Sequence, residues 1–184
     1  MDIHEIIRNR RSVMPVQYNA KPITKEQINQ LLEAANWAPT HKKTEPWRFK
    51  VMQGKSQEAL GSFLAEKYKE TEAKFSDFKY NKLKENPKKA GAIIAICMQR
   101  DPNESVPEWE EVAAVAMSVQ NMWLTATEMG IGSYWSSPGL IKYMDKFFEM
   151  APGEKCLGFF YLGNFDGPID DRIPGPITEK TVWL

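Results

Sequence analysis

The sequence predicts an α+β domain in which three or four short strands are wrapped by helices. Three observations carry this expectation. Helical and strand periodicities mix along the chain without the strict strand–helix–strand succession of a parallel sheet. Residues 92–98, Ala-Ile-Ile-Ala-Ile-Cys-Met, form a continuous apolar run of the kind found in a strand covered on both faces. The chain has 184 residues, enough to bury about 70% of its unfolded surface, so one core and a single domain over residues 1–184 are expected.

The elements follow in order. Asp2 and Glu5 read as a capping box, and Ile3, Ile6 and Ile7 give a short amphipathic helix that ends near Arg8 to Ser12. A second helix starts at Thr24, whose capping partner is Gln27, buries Ile28, Leu31, Leu32 and Ala35, and stops at Pro39. Residues 39–46 must then be a loop. Trp47, Phe49 and Val51 alternate with Arg48, Lys50 and Met52 as in a half-buried strand, closed by Gly54. A third helix runs from about Ser56 through Leu60, Phe63 and Leu64. Residues 67–89 then become dense in charge and lose apolar spacing, which is read as a mobile lid. After the 92–98 strand, residues 101–107 break the chain. Glu108 opens the strongest helix, with acids in its first turn and a stripe of Val112, Val115, Ala116, Val119, Trp123 and Ala126. Apolar groups also occupy its other faces, so it is either buried in the core or shared with another subunit. Gly130 and Gly132 end it. Residues 133–135 read as a short strand, 140–150 as a helix, 156–162 as a second apolar strand, and the chain from Asn164 as a Pro-rich tail.

Composition excludes several classes of function. The 24 Lys and Arg balance 24 Asp and Glu, so no polyanion or nucleic-acid partner is implied. A hydrophobic content of 42% is too high for intrinsic disorder. Cys97 and Cys156, far apart in sequence, form neither a disulfide framework nor a zinc site of ordinary spacing, and each lies in or beside an apolar strand that disfavours a thiolate. A reducing cytoplasm fits. The opening Met1-Asp2-Ile3-His4-Glu5 lacks an export signal, and the longest uncharged stretch, 16 residues over 112–127, falls short of a membrane span.

Three segments are candidates for chemistry. Arg10, Arg11 and Ser12 offer two guanidinium forks and a hydroxyl suited to a phosphate; equally, cations at a helix C-terminus offset its dipole. Residues 37–47 hold Trp37, His41, Lys42, Lys43 and Trp47 around two prolines, either as a stiff positioning loop or as a plain surface connection. His41 is no metal ligand, since His4 is the only other histidine. Residues 130–139 pair glycine turns with Ser133, Ser136, Ser137, Tyr134 and Trp135, a surface for a flat ring or simply a helix stop. This is not the dinucleotide fingerprint, because it follows a helix and lacks the third glycine. A nucleophile elbow and a P-loop are both missing, and Glu110-Glu111 and Asp170-Asp171 do not converge on one face. A nucleotide-phosphate site is the best remaining chemistry.

Taken in order, these segments resemble the nitroreductase family of FMN-dependent oxidoreductases over nearly the whole chain. The shared features are an opening helix into Arg-Arg-Ser, a helix ending in Ala-Pro before a loop to Pro-Trp, and a glycine-containing segment after a long central helix. A final Phe-Tyr-Leu-Gly strand completes them. The resemblance implies a central mixed, mainly antiparallel sheet flanked by helices and an intertwined homodimer with FMN at the interface, its core supplied by the helix from Glu108. It assigns Arg10, Arg11 and Ser12 to the FMN phosphate and ribityl oxygens and Arg172 to a further phosphate contact. Trp37 and His41 would serve the site on the opposite subunit, and Trp135, Ser136 and Ser137 would cover the isoalloxazine.

Two departures stand out. Many relatives carry Asn-x-Gln-Pro-Trp where this chain has Lys43-Thr44-Glu45-Pro46-Trp47, and some carry a cation where Met14 stands. His41 or Lys43 is a candidate substitute for that charge. The implied activity is ping-pong hydride transfer on the flavin, from NADH or NADPH to a nitroaromatic, quinone or related acceptor. The competing classes are a non-catalytic flavin-storage protein and a flavin-dependent dehalogenase or dehydrogenase on the same fold.

Overall fold

A computed structural model describes residues 2–184. Its elements are α1 (Ile3–Asn9), α2 (Lys25–Asn36), β1 (Trp47–Met52), α3 (Lys55–Thr71), α4 (Asp77–Lys89), β2 (Ala92–Gln99), α5 (Glu108–Glu128), β3 (Gly132–Ser136) and β4 (Glu154–Gly163). Short 3-10 turns occupy Pro15–Gln17, His41–Lys43, Gly139–Lys146 and Ile177–Lys180.

The sheet has the order β1-β2-β4-β3, and every pair is antiparallel. The expected α+β class holds, with no parallel pair among the described residues. Strand β2 is central because its seven apolar residues can be dehydrated on both faces. Ile94, Ile96 and Met98 pack with α2 and α5, while Ile93, Ala95 and Cys97 pack with α3 and the 3-10 turns. The result is three layers, two helical and one of sheet. The capping boxes at Asp2 and Thr24 form as their spacing predicts.

Residues 67–89 are a correction. Instead of a lid, α3 continues to Thr71 and α4 packs against it. Tyr68 is buried, and its hydroxyl accepts from Ser76 N at 2.9 Å and donates to Lys74 O at 3.2 Å, fastening the connection. The helices approach so closely that a Cβ on Gly61 would lie 2.4 Å from Lys84 O. The charge density reflects a solvated outer face laced by Lys67–Glu70 and Lys88–Glu85 pairs. The helix expected over 140–150 is instead a run of 3-10 turns over Gly139–Lys146.

One chain leaves substantial apolar surface open. Ile3 and Ile7 of α1, Trp109, Val112 and Met117 of α5, and Val182, Trp183 and Leu184 at the C-terminus are all exposed. Strand β1 lies at the sheet edge with one side unpaired. No helix among the described residues is long and apolar enough to cross a membrane.

Candidate functional site

Helix α1 ends at Arg10, whose backbone turns extended while its N–H still donates to Ile6 O at 3.0 Å. The guanidinium then folds over α5, 4.6 Å from the centroid of the Trp123 ring, a cation–π arrangement. Trp123 Nε1 donates to Arg11 O at 3.1 Å, so one indole fixes both residues. Burial first, and the charges of Arg172 and Arg11 after it, lower the Arg10 guanidinium below its ordinary range. Among the described residues no carboxylate pairs with Arg10 or Arg172. Cations that repel one another without a protein counter-ion make a place for an anion.

Arg11 is engaged differently. Its Nε donates to Asp170 O at 2.9 Å, and its Nη1 donates to Arg8 O at 2.5 Å and Arg10 O at 3.1 Å. The fork therefore ties the end of α1 to the C-terminal tail, which carries Arg172. Ser12 is exposed. From Ser12 the chain runs along the β3 edge: Val13 N donates to Ser133 O at 3.0 Å, and Tyr18 Oη donates to Val13 O at 2.7 Å. That path ends at Pro15, on the rim of a groove of about 410 Å³ between α4 and the sheet.

Phe78, Leu83, Tyr134 and Tyr161 form the apolar wall of this groove, and Lys82, Asn86 and Ser136 supply polar groups. Burial pushes the Tyr161 phenol up, so it stays an un-ionised hydroxyl. Lys79 also borders the groove but is ion-paired with Glu72 at 3.0 Å. Lys82 has no ion pair among the described residues. Sequence reasoning missed Lys82 and Asn86. Ser76 before Asp77, followed by Tyr80, Leu83 and Pro87 at helical spacing, was the available signal.

Strand alternation separates the predicted pair Trp135 and Ser136. Ser136 faces the α4 groove, whereas Trp135 packs on the α5 side beside Phe160. The Trp135 indole lies against Gly158, where a Cβ would meet its Nε1 at 2.3 Å. Ser137 is exposed just beyond β3.

Trp37 and His41 sit elsewhere. Trp37 is 79% exposed and donates to Glu33 Oε1 at 3.0 Å. His41 Nδ1 lies 2.5 Å from Glu110 Oε2 in the first turn of α5. Glu110 and Trp123 are separated along α5 by about 20 Å at 1.5 Å per residue. Within one chain, His41 and Arg10 therefore occupy opposite ends of the helix.

The loop carrying His41 is strained. Lys42, Lys43 and Glu45 all have positive φ, of 52°, 56° and 43°, at about 1 kcal/mol or more apiece. Its geometry is held by Thr40 Oγ1 against Thr44 Oγ1 at 3.1 Å, Glu45 N donating to Thr40 Oγ1 at 3.2 Å, and Lys42 Nζ donating to Ser105 O at 2.8 Å. Among the described residues no cluster of His, Cys, Asp and Glu is arranged to hold a metal ion.

Comparison with known proteins shows the family. The sequence profile of the nitroreductase family matches residues 7–164. The Escherichia coli (strain K12) protein named "Putative NAD(P)H nitroreductase YdjA" is 31% identical over 165 residues, covering 89% of this chain and 88% of that protein. The crystal structure of a nitroreductase-like family protein from Bacillus cereus superimposes with a TM-score of 0.83 at 29% identity, covering 100% of this chain and 96% of that one. A nitroreductase with bound FMN from Bacteroides fragilis NCTC 9343 shares the fold, with a TM-score of 0.73, 21% identity and 100% of each chain covered. The fold and the family profile together define an oxidoreductase scaffold. The chain belongs to the nitroreductase family.

Proposed function

We propose that the protein is an FMN-dependent NAD(P)H oxidoreductase acting on nitroaromatic, quinone or related acceptors, and that it works as an intertwined homodimer. The observation that carries this reading is the run from the Arg10 and Arg172 cations, along the β3 edge, into the α4 groove. A cation cluster without a counter-ion fits a phosphate, and an apolar slot with a few polar groups fits a planar ring, so the residues present suit FMN.

Bound FMN supplies the hydride chemistry at its N5. Arg10 and Arg172 would hold its phosphate, with Arg11 bracing the tail that carries Arg172. Ser12 would serve the ribityl chain, Ser136 and Ser137 would serve the ring, and Trp135 supports their strand from the α5 side. Lys82 takes the place of the cation missing at Met14, because it lines the same groove as Pro15. A positive charge there favours the anionic reduced state. A ping-pong sequence would need the groove to stay open to nicotinamide donor and acceptor in turn.

The dimer reading rests on the exposed apolar face of α5 and on the separation of His41 from Arg10. A two-fold axis across α5 brings the Glu110 end of one helix to the Trp123 end of the other, so Trp37 and His41 reach the partner's site. The apolar C-terminus of one chain then covers the other. A cytoplasmic location, where the nicotinamide donors are generated, belongs to the same reading.

The test is direct. Protein purified without added flavin should be yellow, and NADH or NADPH should bleach it under anaerobic conditions. Colour without bleaching would favour flavin storage. Absence of binding after FMN addition would overturn the reading.

A further inference from the structure

The two cysteines, separated in sequence by 156 − 97 = 59 positions, face each other directly across strands β2 and β4. A β-bulge makes this so. The register passes from Ile96 opposite Gly158 to Cys97 opposite Cys156, leaving Leu157 unpaired. Without the extra residue Leu157 would oppose Cys97, and Cys156 would point to the other face of the sheet. With it, Cys97 and Cys156 share one hydrophobic cluster, while Leu157 joins the cluster on the opposite face. Directly opposed residues of an antiparallel pair lie about 4.5–5.5 Å apart at Cα, inside the roughly 4.4–6.8 Å that a disulfide spans.

The two thiols differ in access. Cys97 is buried, whereas Cys156 is partly exposed and opens onto a groove of about 360 Å³ lined by Ile141, Lys142, Asp145, Met150 and Lys155. Buried beside the pair, Glu154 lies 2.6 Å from Lys50 Nζ. The Cys156 thiol donates to Gly158 O at 3.6 Å; the contact between the two sulfurs first, and burial after it, push the Cys97 thiol up, while the same contact holds Cys156 below the usual thiol range. Cys156 is thus the sulfur that an oxidant in the groove meets first, with Cys97 directly opposite it in the next strand.

We propose that Cys97 and Cys156 form a redox-active dithiol, in which a hydroperoxide entering the Lys142–Lys155 groove oxidises Cys156 and Cys97 resolves it to a cross-strand disulfide. In the first step the Cys156 thiolate attacks the peroxide. An S–O bond forms, the O–O bond breaks, and the departing oxygen takes up a proton to leave as an alcohol or water. In the second step the Cys97 sulfur attacks the Cys156 sulfenic acid. The S–S bond forms, the S–O bond breaks, and the hydroxide leaves as water with the Cys97 proton. Two thiols lose two electrons, and one hydroperoxide gains them. The groove at Cys156 shares no lining residue with the α4 groove, and the proposal does not depend on the function proposed above.

The full-length protein as purified, without nicotinamide donor, is treated with hydrogen peroxide, then alkylated and mapped by mass spectrometry under non-reducing conditions. The expected result is a Cys97–Cys156 linked peptide within one chain, loss of both thiols to alkylation, and recovery of both on treatment with dithiothreitol. In Cys97→Ser, Cys156 should instead be trapped by dimedone as its sulfenic acid. Two alkylatable thiols after treatment, Cys156 oxidised while Cys97 still alkylates, or links only between chains would overturn the proposal. The wild-type map decides the question even if the variant fails to fold.

Discussion

Arg10 lies with its guanidinium 4.6 Å from the centre of the Trp123 ring, joining the end of the first helix to the longest one. The contact holds the charge of Arg10 in a fixed place, and the neighbouring charges of Arg172 and Arg11 make that place strongly electropositive. Stacking occupies one face of the guanidinium and leaves its edge free to bind an anion.

Arg10→Ala should therefore weaken FMN binding by about 1.5–3 kcal/mol, the range of a hydrogen bond to a charged group. That corresponds to roughly one to two orders of magnitude in Kd. Fluorescence titration of the apoprotein measures it. An unchanged Kd with an unchanged circular dichroism spectrum would remove Arg10 from the phosphate site.

Lys82→Ala should make the flavin harder to reduce. A partly solvated charge near the ring contributes about 1 kcal/mol, which is about 20 mV in a two-electron couple. Equilibration against a reference dye reads the potential. Met14→Lys in the Lys82→Ala background should return it upward; no movement in either variant would place the controlling charge elsewhere.

Gly158→Ala should destabilise the fold by about 1–3 kcal/mol through overpacking. A Cβ there would lie 2.3 Å from Trp135 Nε1 and 2.6 Å from Ser136 O, and the residue has a φ of 148° at the bulge. Urea unfolding gives the change, and a midpoint like that of the wild type would show that β3 can shift without loss.

Much of this architecture is legible in the sequence, because its signals are local. The capping boxes at Asp2 and Thr24, the alternation of Trp47 to Met52 and the apolar run of β2 each act over a few residues and survive tertiary packing. Helix α4 was hidden because few of its positions, Leu83 and Pro87 among them, turn inward, so charge swamps the periodicity. The cysteine pair was hidden for another reason: a one-residue bulge near Gly158 decides which face Cys156 takes, and no pattern in the strand announces it. Arg10 and Arg172 were separately nameable from the family resemblance, but the bond of Arg11 to Asp170 O that draws the tail toward Arg10 is visible only in three dimensions.

Stability should fall in acid through Asp101. Its carboxylate accepts from Asn103 N at 3.2 Å and Ser105 N at 3.0 Å, and from the Ser105 hydroxyl. The Ser105 side chain first, and the backbone donors after it, hold its pKa below the ordinary value of 3.8. A depressed folded pKa means that the contribution is complete above the unfolded value and is lost as pH falls through the folded one. Asp101→Asn should therefore flatten the decline in thermal midpoint below pH of about 4, and an unaltered slope would show that the loop contributes nothing to acid sensitivity.

The shared cleft is tested most directly by sedimentation velocity across a dilution series, followed at the flavin absorbance and at the protein absorbance together. In the proposed dimer Arg10 on one chain and His41 on the other bound the same site, so flavin should travel only with the dimer and appear free as protomers separate. A flavin-carrying species sedimenting as a single chain would contradict it.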